Sequence, residues 1–563
     1  MDKVKITERE NNEKSIRDER VTEYIYPTRV LWKYTADGAE VVNDKALLDN
    51  FIPQASLEGG DLCVLKNNGA KAGILLDFGR EIHGGIQIIT HMNSGHVRVR
   101  FGESAMEAMS ELGQKGSTND HAIRDSVYLV SWLGSTSIGN TGFRFVRIDL
   151  EDENSELTLK LVRAAFIHRD LEYKGSFESS DQELNKIWQT AAYTVHLNMQ
   201  EYVWDGIKRD RLVWIGDMHP EVSTIQYVFG DQDCVKKSLD FIKELTPIPN
   251  VMNGIPAYSL WWILIHRDWY MQNGDIKYLA QQHDYIVSLV EFFSGFIGEG
   301  GVNNIENTFL DWPSSANPEG AKAGVHALFI LSMNAAADIM EALGDSEYQH
   351  FAKLCADKLT SHVYDVNNNK QAGALQVLAG QADAVKTFNE LLCVDGVKGF
   401  STFLGYYILK AMGDADRVDF AIKSIKEYWG KMIELGATSF WEDFNIEWAE
   451  NCSHLDEILP ENTDKKDIHG DFGGYCYTGY RHSLCHGWAS GPAPFLCEYV
   501  LGIRPIKAGC KQVLVAPDLG GLDYVKGSYP TPYGIIYVEH RRLDNGEIDT
   551  KVSAPDEIEI IMG

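Results

Sequence analysis

The stretch "SDQELNKIWQTAAYTVHLNM", residues 180–199, is where the chain changes its period. Within it Leu184, Ile187, Trp188, Ala191, Val195 and Met199 recur at the spacing of one buried helix face. Ser180 and Glu183 give the S-x-x-E pattern of a capping box, so the helix is predicted to open there. The helical period persists to about residue 500. Candidates include "DCVKKSLDFIKEL", "SLWWILIHRDWYMQ", "GVHALFILSMNAAADIMEAL", "SEYQHFAKLCADKLTSHV" and "RVDFAIKSIKEYWGKMIEL". Roughly ten to twelve helices fit, separated by Gly- and Asp-rich turns. Hairpins of this kind close into an (α/α) toroid or stack as a solenoid, and no fixed sequence repeat favours the solenoid.

Upstream of Ser180 the pattern is that of strands. "AGILLDFGREIHGGIQIIT" reads as two strands split by a turn with Gly79 and Gly84–Gly85. "HVRVRFGES", "FRFVRIDLED" and "LTLKLVRAAFI" follow in the same style, which predicts a β-sandwich. Beyond "LGIRP" the chain reverts to strands in "KQVLVAP" and "GLDYVKGSYPTPYGIIYVEHRRLD". That unit is short and is expected to pack on the helical body. The expected division is therefore a β domain over 1–175, a helical domain over 176–501 and a β domain over 502–563.

Composition excludes several classes. The 52 Lys+Arg against 81 Asp+Glu leave a net charge of −29. Such a surface repels phosphate backbones, so a nucleic-acid partner is not expected. The start "MDKVKITERENNEKSIRDER" has no apolar run and reads as neither signal peptide nor anchor. "AGVHALFILSM" is too short to span a bilayer and carries His326, so no membrane association is expected. Nine scattered cysteines form no disulfide framework or zinc motif, which favours a reducing, cytoplasmic compartment. The 13 Trp and 25 Tyr suit clefts that stack sugars, and equally suit large cores.

One charged segment breaks the helical pattern. "WDGIKRDRLVWIGDMHPE", residues 204–221, mixes Asp205, Lys208, Arg209, Asp210, Arg211, Asp217 and Glu221 with two tryptophans. It follows a long helix, and Gly206 permits an unusual backbone angle beside Asp205. Carboxylates interleaved with cations can orient and tune one another. They can also form a purely structural ion-pair cluster, and spacing alone leaves both readings open.

"DGIKRDRLVWIGD" resembles the hallmark segment of the α-L-rhamnosidases of glycoside hydrolase family 78. "DFGREIHGGIQI" and "RVRFGES" resemble that family's preceding β domain, and "LGATSFWEDF" its second acidic motif. "SLCHGWASGPAPFL" and the C-terminal strands resemble its later segments. The resemblance covers most of the chain. It implies a central (α/α)6 barrel with N-terminal and C-terminal β-sandwich domains, and inverting hydrolysis of terminal α-L-rhamnose from glycosides or oligosaccharides. It places the general acid at Asp210 and the general base at Glu442. Many relatives carry Glu where this chain has Asp210, a side chain shorter by roughly 1.5 Å. Asp205 and Asp217 are the substitutes for that acid, or else bind sugar hydroxyls or orient it.

The remaining candidates for sugar contact are Arg209, Trp214, Trp261, Asp311, Trp312, Trp441 and His486. Adjacent Trp261 and Trp262 cannot share a helix face, so at most one lines a cleft. Glu103 is expected to be structural. No adjacent acid completes a metal set with His482 and His486, so no metal or other cofactor is expected. "FGREIHGG" lacks the context of a nucleotide loop. A homodimer is an admissible assembly. The alternatives to rhamnose hydrolysis are another glycosidase or lyase on the same toroid, or a non-catalytic carbohydrate-binding protein.

Overall fold

The computed structural model describes residues 18–49, 52–475 and 477–563. Most of the charged start, residues 1–17, therefore lies outside the described residues.

The N-terminal strands form one nine-stranded antiparallel sheet among the described residues. Its long strands pair continuously, with register shifts inside Gly73–Thr90. Gly73–Thr90 is one strand, flanked by Ser135–Leu150 and Ser155–Arg169. The turn expected at Gly84–Gly85 is a bulge inside it, between Gly84 and Ile86. Gly84 is left-handed there (φ 141°), and a Cβ would meet the Ala165 carbonyl at 2.1 Å. The sheet curls over a core of Ile74, Leu76, Ile86, Val99, Phe101, Phe143 and Val162.

The helix predicted at Ser180 spans Gln182–Asn198, with Asp181 as its cap. Asp181 accepts hydrogen bonds from the Glu183 and Leu184 backbone N–H groups at 3.0 and 3.1 Å. A carboxylate one residue later wins because its charge also meets the positive end of the helix dipole. The Ser180 hydroxyl instead accepts from the Asp523 N–H at 3.1 Å, across to the C-terminal unit.

Six helices then follow one another around a ring. They are Met218–Val228, Pro256–Asn273, Pro318–Leu343, Lys370–Leu378, Gly405–Asp414 and Pro492–Phe495. Each packs on the next, and the last packs back on the first. Ile276–Ser294 and Ser346–Thr360 cover Pro318–Leu343 from outside. Pro318–Leu343 is long and apolar enough to cross a bilayer, but here it is a buried core helix. Two ring helices were not legible from periodicity. Met218–Val228 is buried on every side and so has no polar face. Lys370–Leu378 is nearly as enclosed, and its Lys370 donates to the Val394 and Gly396 carbonyls.

Two small sheets close the chain. Ser176–Ser179, Tyr524–Thr531, Gly534–Arg542 and Ile548–Ser553 form one, and Ile503–Lys507, Gln512–Val515 and Glu559–Met562 the other. Residues 176–179, expected to start the helical domain, thus pair with a strand far along the chain. Val513, Val525, Tyr529 and Val538 share one core with the ring helices. The C-terminal unit therefore packs on the helical body, as its size requires.

Candidate active site

Three distant segments are laced together by backbone hydrogen bonds. Gly487 N–H donates to Asp205 O at 2.9 Å, His486 N–H to Phe440 O at 2.9 Å, and Glu442 N–H to Ser483 O at 3.0 Å. The charged stretch, the second acidic motif and the segment around His486 so become one wall.

Within the first segment the loop closes on itself. Asp205 N–H donates to Leu212 O, and Leu212 N–H returns to Asp205 Oδ1 at 2.9 Å. The unusual backbone angles expected at Gly206 fall instead on Asp210 and Arg211, at φ 54° and 55°. Two successive non-glycine residues in that region store about 1–3 kcal/mol each, strain that persists where the surroundings enforce it. Here Lys208 donates to Tyr480 O and His482 O, and Arg209 Nε donates to Arg481 O at 3.0 Å. Two consecutive cations thus read three consecutive carbonyls.

Arg209 then joins the two acids. Its Nη1 donates to Asp210 Oδ1 at 2.9 Å, and its Nη2 to both oxygens of Glu442 at 2.7 Å. The ring of Tyr477 lies 3.8 Å from the guanidinium. Burial works against the charge of Arg209, but Glu442 outweighs it and raises the guanidinium above its usual range. With the guanidinium nitrogens about 2.3 Å apart, the nearest oxygens of Asp210 and Glu442 lie within about 8 Å of each other.

Three carboxylates surround one imidazole. His486 Nε2 is 3.7 Å from Glu442, 3.8 Å from Asp205 and 3.9 Å from Asp217. Burial and Arg209 hold His486 well below the usual imidazole range, so it is neutral. Burial, then neighbouring acids, raise Asp205 well above the usual carboxylate range. Asp217 is raised by burial against the Tyr258 hydroxyl, which donates to its Oδ1 at 2.7 Å. Beneath them Glu221 is fully buried, and no described residue donates to either oxygen. Burial, then Asp217 and Asp205, hold it in the protonated direction. A Cβ on Gly487 would come within 1.8 Å of the Glu221 carboxyl, so any larger residue would force that side chain to move.

The aromatic wall differs from the expected one. Trp261 packs among His219, Phe403 and Tyr407, and Trp441 packs edge-on against Phe444. Both are 1% exposed and lie behind the cleft rather than along it. Trp262 is also buried. Trp312 does line the cleft, stacked on Tyr475 with ring centroids 5.8 Å apart. Trp214, Tyr258, Phe309 and Trp312 follow edge to edge from the charged segment to the cleft. Asp311 also lines the cleft, but its oxygens are taken by the Ser314 N–H and the Ser401 hydroxyl. Sequence reasoning missed Tyr258, Phe309, Tyr475, Tyr477 and Asp443. The aromatic density of "YCYTGY" was the available signal.

The N-terminal domain reaches the site as well. His121 Nε2 stands 3.5 Å from Asp210 Oδ1, and Arg211 donates to the His121 carbonyl. Deeper, Glu103, Glu107 and His469 come within metal-ligand spacing of one another. The Lys208 ammonium already serves them as a cation, at 2.9, 3.4 and 3.4 Å respectively. Glu103 is thus a structural tie between domains.

Comparison with known proteins places this arrangement. Residues 172–370 match the bacterial alpha-L-rhamnosidase 6 hairpin glycosidase domain, and residues 502–561 the bacterial alpha-L-rhamnosidase C-terminal domain. An alpha-L-rhamnosidase of Formosa agariphila is 22% identical over 531 residues, covering 82% of this chain and 52% of that protein. The structure of a GH78 family rhamnosidase of Bacillus sp. GL1 superposes with a TM-score of 0.71 at 21% identity, covering 92% of this chain and 55% of that one. A Klebsiella oxytoca rhamnosidase with rhamnose bound gives a TM-score of 0.65 at 19% identity, covering 85% and 96%. The chain spans about half the length of the Formosa and Bacillus proteins and nearly all of the Klebsiella one. Such structural likenesses establish the fold. Residues 172–370 and 502–561 are thus similar, in that order, to the six-hairpin glycosidase domain and the C-terminal domain of bacterial α-L-rhamnosidases.

Proposed function

We propose that the protein is an inverting α-L-rhamnosidase, with Asp210 as general acid and Glu442 as general base. The ring of helices is read as an (α/α)6 barrel between two β domains, with the division near residues 175 and 501. The observation that carries the reading is the single guanidinium that holds both acids. It keeps them within about 8 Å, an upper bound compatible with the roughly 6.5–9.5 Å at which inverting enzymes leave room for a water.

The lone pairs left free support these roles. A carboxylate offers about four acceptor sites. Glu442 uses two on Arg209 and one on the Ser483 N–H, which reaches Oε2 at 3.2 Å. One site remains, on Oε1, and it is available to a water proton. Asp210 Oδ2 receives no hydrogen bond from a described residue, so that oxygen can carry the proton for the leaving group. Water then attacks C1, its proton passes to Glu442, and the Asp210 proton passes to the departing glycosidic oxygen. Asp205, Asp217 and the neutral His486 form the polar floor for the sugar hydroxyls, and Trp312 with Tyr475 forms an apolar wall. A rhamnose-containing glycoside is the proposed substrate, matching the ligand of the Klebsiella protein. The eight described cysteines are all free, which supports a reducing, cytoplasmic setting.

A panel of aryl glycosides tests the substrate. The α-L-rhamnoside is expected to be cleaved at least about 100-fold faster than α-L-arabinosides, β-D-glucosides or uronides, because the site is built to satisfy specific hydroxyls. Release of only a different sugar would favour another glycosidase on this fold. Rhamnose binding with no product after long incubation would favour a non-catalytic binding protein.

A further inference from the structure

We propose that Asp443 holds a hydroxyl of the sugar on which Asp210 and Glu442 act, as a binding contact that sets specificity within the reaction proposed above. It lines the same cleft as Asp311, Trp312, Thr402, Glu442, Tyr475 and Tyr477.

The other acids of the cleft and its floor are bonded to the protein, except Glu221, which is sealed beneath them. Arg209 and Ser483 hold Glu442, Ser314 and Ser401 hold Asp311, Leu212 holds Asp205, and Tyr258 holds Asp217. Among the described residues the Asp443 carboxyl takes a backbone hydrogen bond from Phe444 and none from a side chain. Its backbone is nevertheless fixed, because the Asp443 N–H donates to His482 Nε2 at 2.9 Å. The carboxyl is thus anchored by its backbone and by Phe444, and its remaining acceptor sites face the cleft without a side-chain donor, which suits a group that binds a ligand.

Its protonation suits the same task. Burial, followed by the charges of Glu442 and Asp311, pushes the Asp443 carboxyl up to about 7. Tyr428 and Tyr475 also sense its charge, and burial holds His482 low and therefore neutral. None of these neighbours is a cation that would favour the ionised form. Below that value Asp443 can donate one hydrogen bond and accept others, which matches a sugar hydroxyl. Above it the group only accepts and adds charge beside Glu442.

The test compares Asp443→Ala, Asp443→Asn and wild type in two assays. One follows kcat and KM on an aryl α-L-rhamnoside from pH 5 to 9, and the other measures L-rhamnose binding by calorimetry. The Ala variant is expected to raise KM at least tenfold at pH 5.5 and to weaken rhamnose binding by a similar factor. The Asn variant, which keeps a donor but cannot ionise, is expected to lose less. Its KM should also lack the rise that wild type shows between pH 6 and 8. Binding and KM within twofold of wild type in the Ala variant would overturn the assignment, as would a wild-type pH limb retained by Asn. Weaker binding in the Ala variant of a protein that releases no rhamnose would support the contact while defeating the catalytic reading.

Discussion

Glu442→Gln is expected to lower kcat on an aryl α-L-rhamnoside by about 10³-fold, within the range that a positioned general base contributes. The change is nearly isosteric, so the fold and the backbone bonds of Glu442 to Ser483 and Trp488 are retained. Two things are lost. The amide cannot take a proton from water, and its NH2 group faces Arg209 Nη2, donor against donor. Asp210→Asn should behave differently, and the difference identifies the acid. A good leaving group needs little protonation, so a nitrophenyl rhamnoside should lose far less than a rhamnoside with an alcohol aglycone. Equal losses on both substrates would remove Asp210 from the acid role. Retention of more than a tenth of wild-type kcat by the Gln variant would remove Glu442 from the base role.

The second large effect is on stability. Lys208→Met is expected to cost about 3–5 kcal/mol, the range for removing one partner of a buried ion cluster. Lys208 is the cation shared by Glu103 and Glu107 and also donates to the Tyr480 and His482 carbonyls. Burial already pushes Glu103 up to about 7 despite Lys208, from an ordinary 4.5. An acid raised on folding favours the folded state most while protonated. In the wild type this contribution is full below 4.5 and is lost as pH rises through about 7. Without the lysine the loss continues to higher pH, so the variant's deficit should be larger at pH 8 than at pH 5.5. Urea unfolding followed by tryptophan fluorescence reads this directly. A deficit under 1 kcal/mol, or one independent of pH, would show that the cluster does not tie the domains together.

Much of the scaffold was legible because it follows from period. The helix Asp233–Leu245 coincides with its apolar pattern, and the long helix Pro318–Leu343 contains its own. What period cannot show is an element without a polar face, as in Met218–Val228, or pairing between distant strands, as with Ser176–Ser179 and Tyr524–Thr531. The charged segment stood out because so many charges beside tryptophan are costly to bury without a partner, but its spacing left a structural cluster open, and only the resemblance singled out Asp210 and Glu442. The structure brings Asp205, Arg209, Asp210, Asp217, Glu442 and His486 to one place. The tryptophans were not separable by sequence. Trp261 and Trp441 have the same chemistry as Trp312, and only packing decides which meets the cleft. Asp443 was overlooked for a related reason: its neighbour Glu442 carries the resemblance, and nothing local marks the next carboxyl as open to a ligand.

The central claim is that two carboxyl groups on opposite sides of the sugar release rhamnose with inversion. Proton NMR during the first minutes of hydrolysis of an aryl α-L-rhamnoside tests it most directly. The account predicts β-L-rhamnose as the first product, with the α-anomer growing in later by mutarotation. Appearance of α-L-rhamnose first would contradict it, since retention requires a carboxylate nucleophile in place of a water.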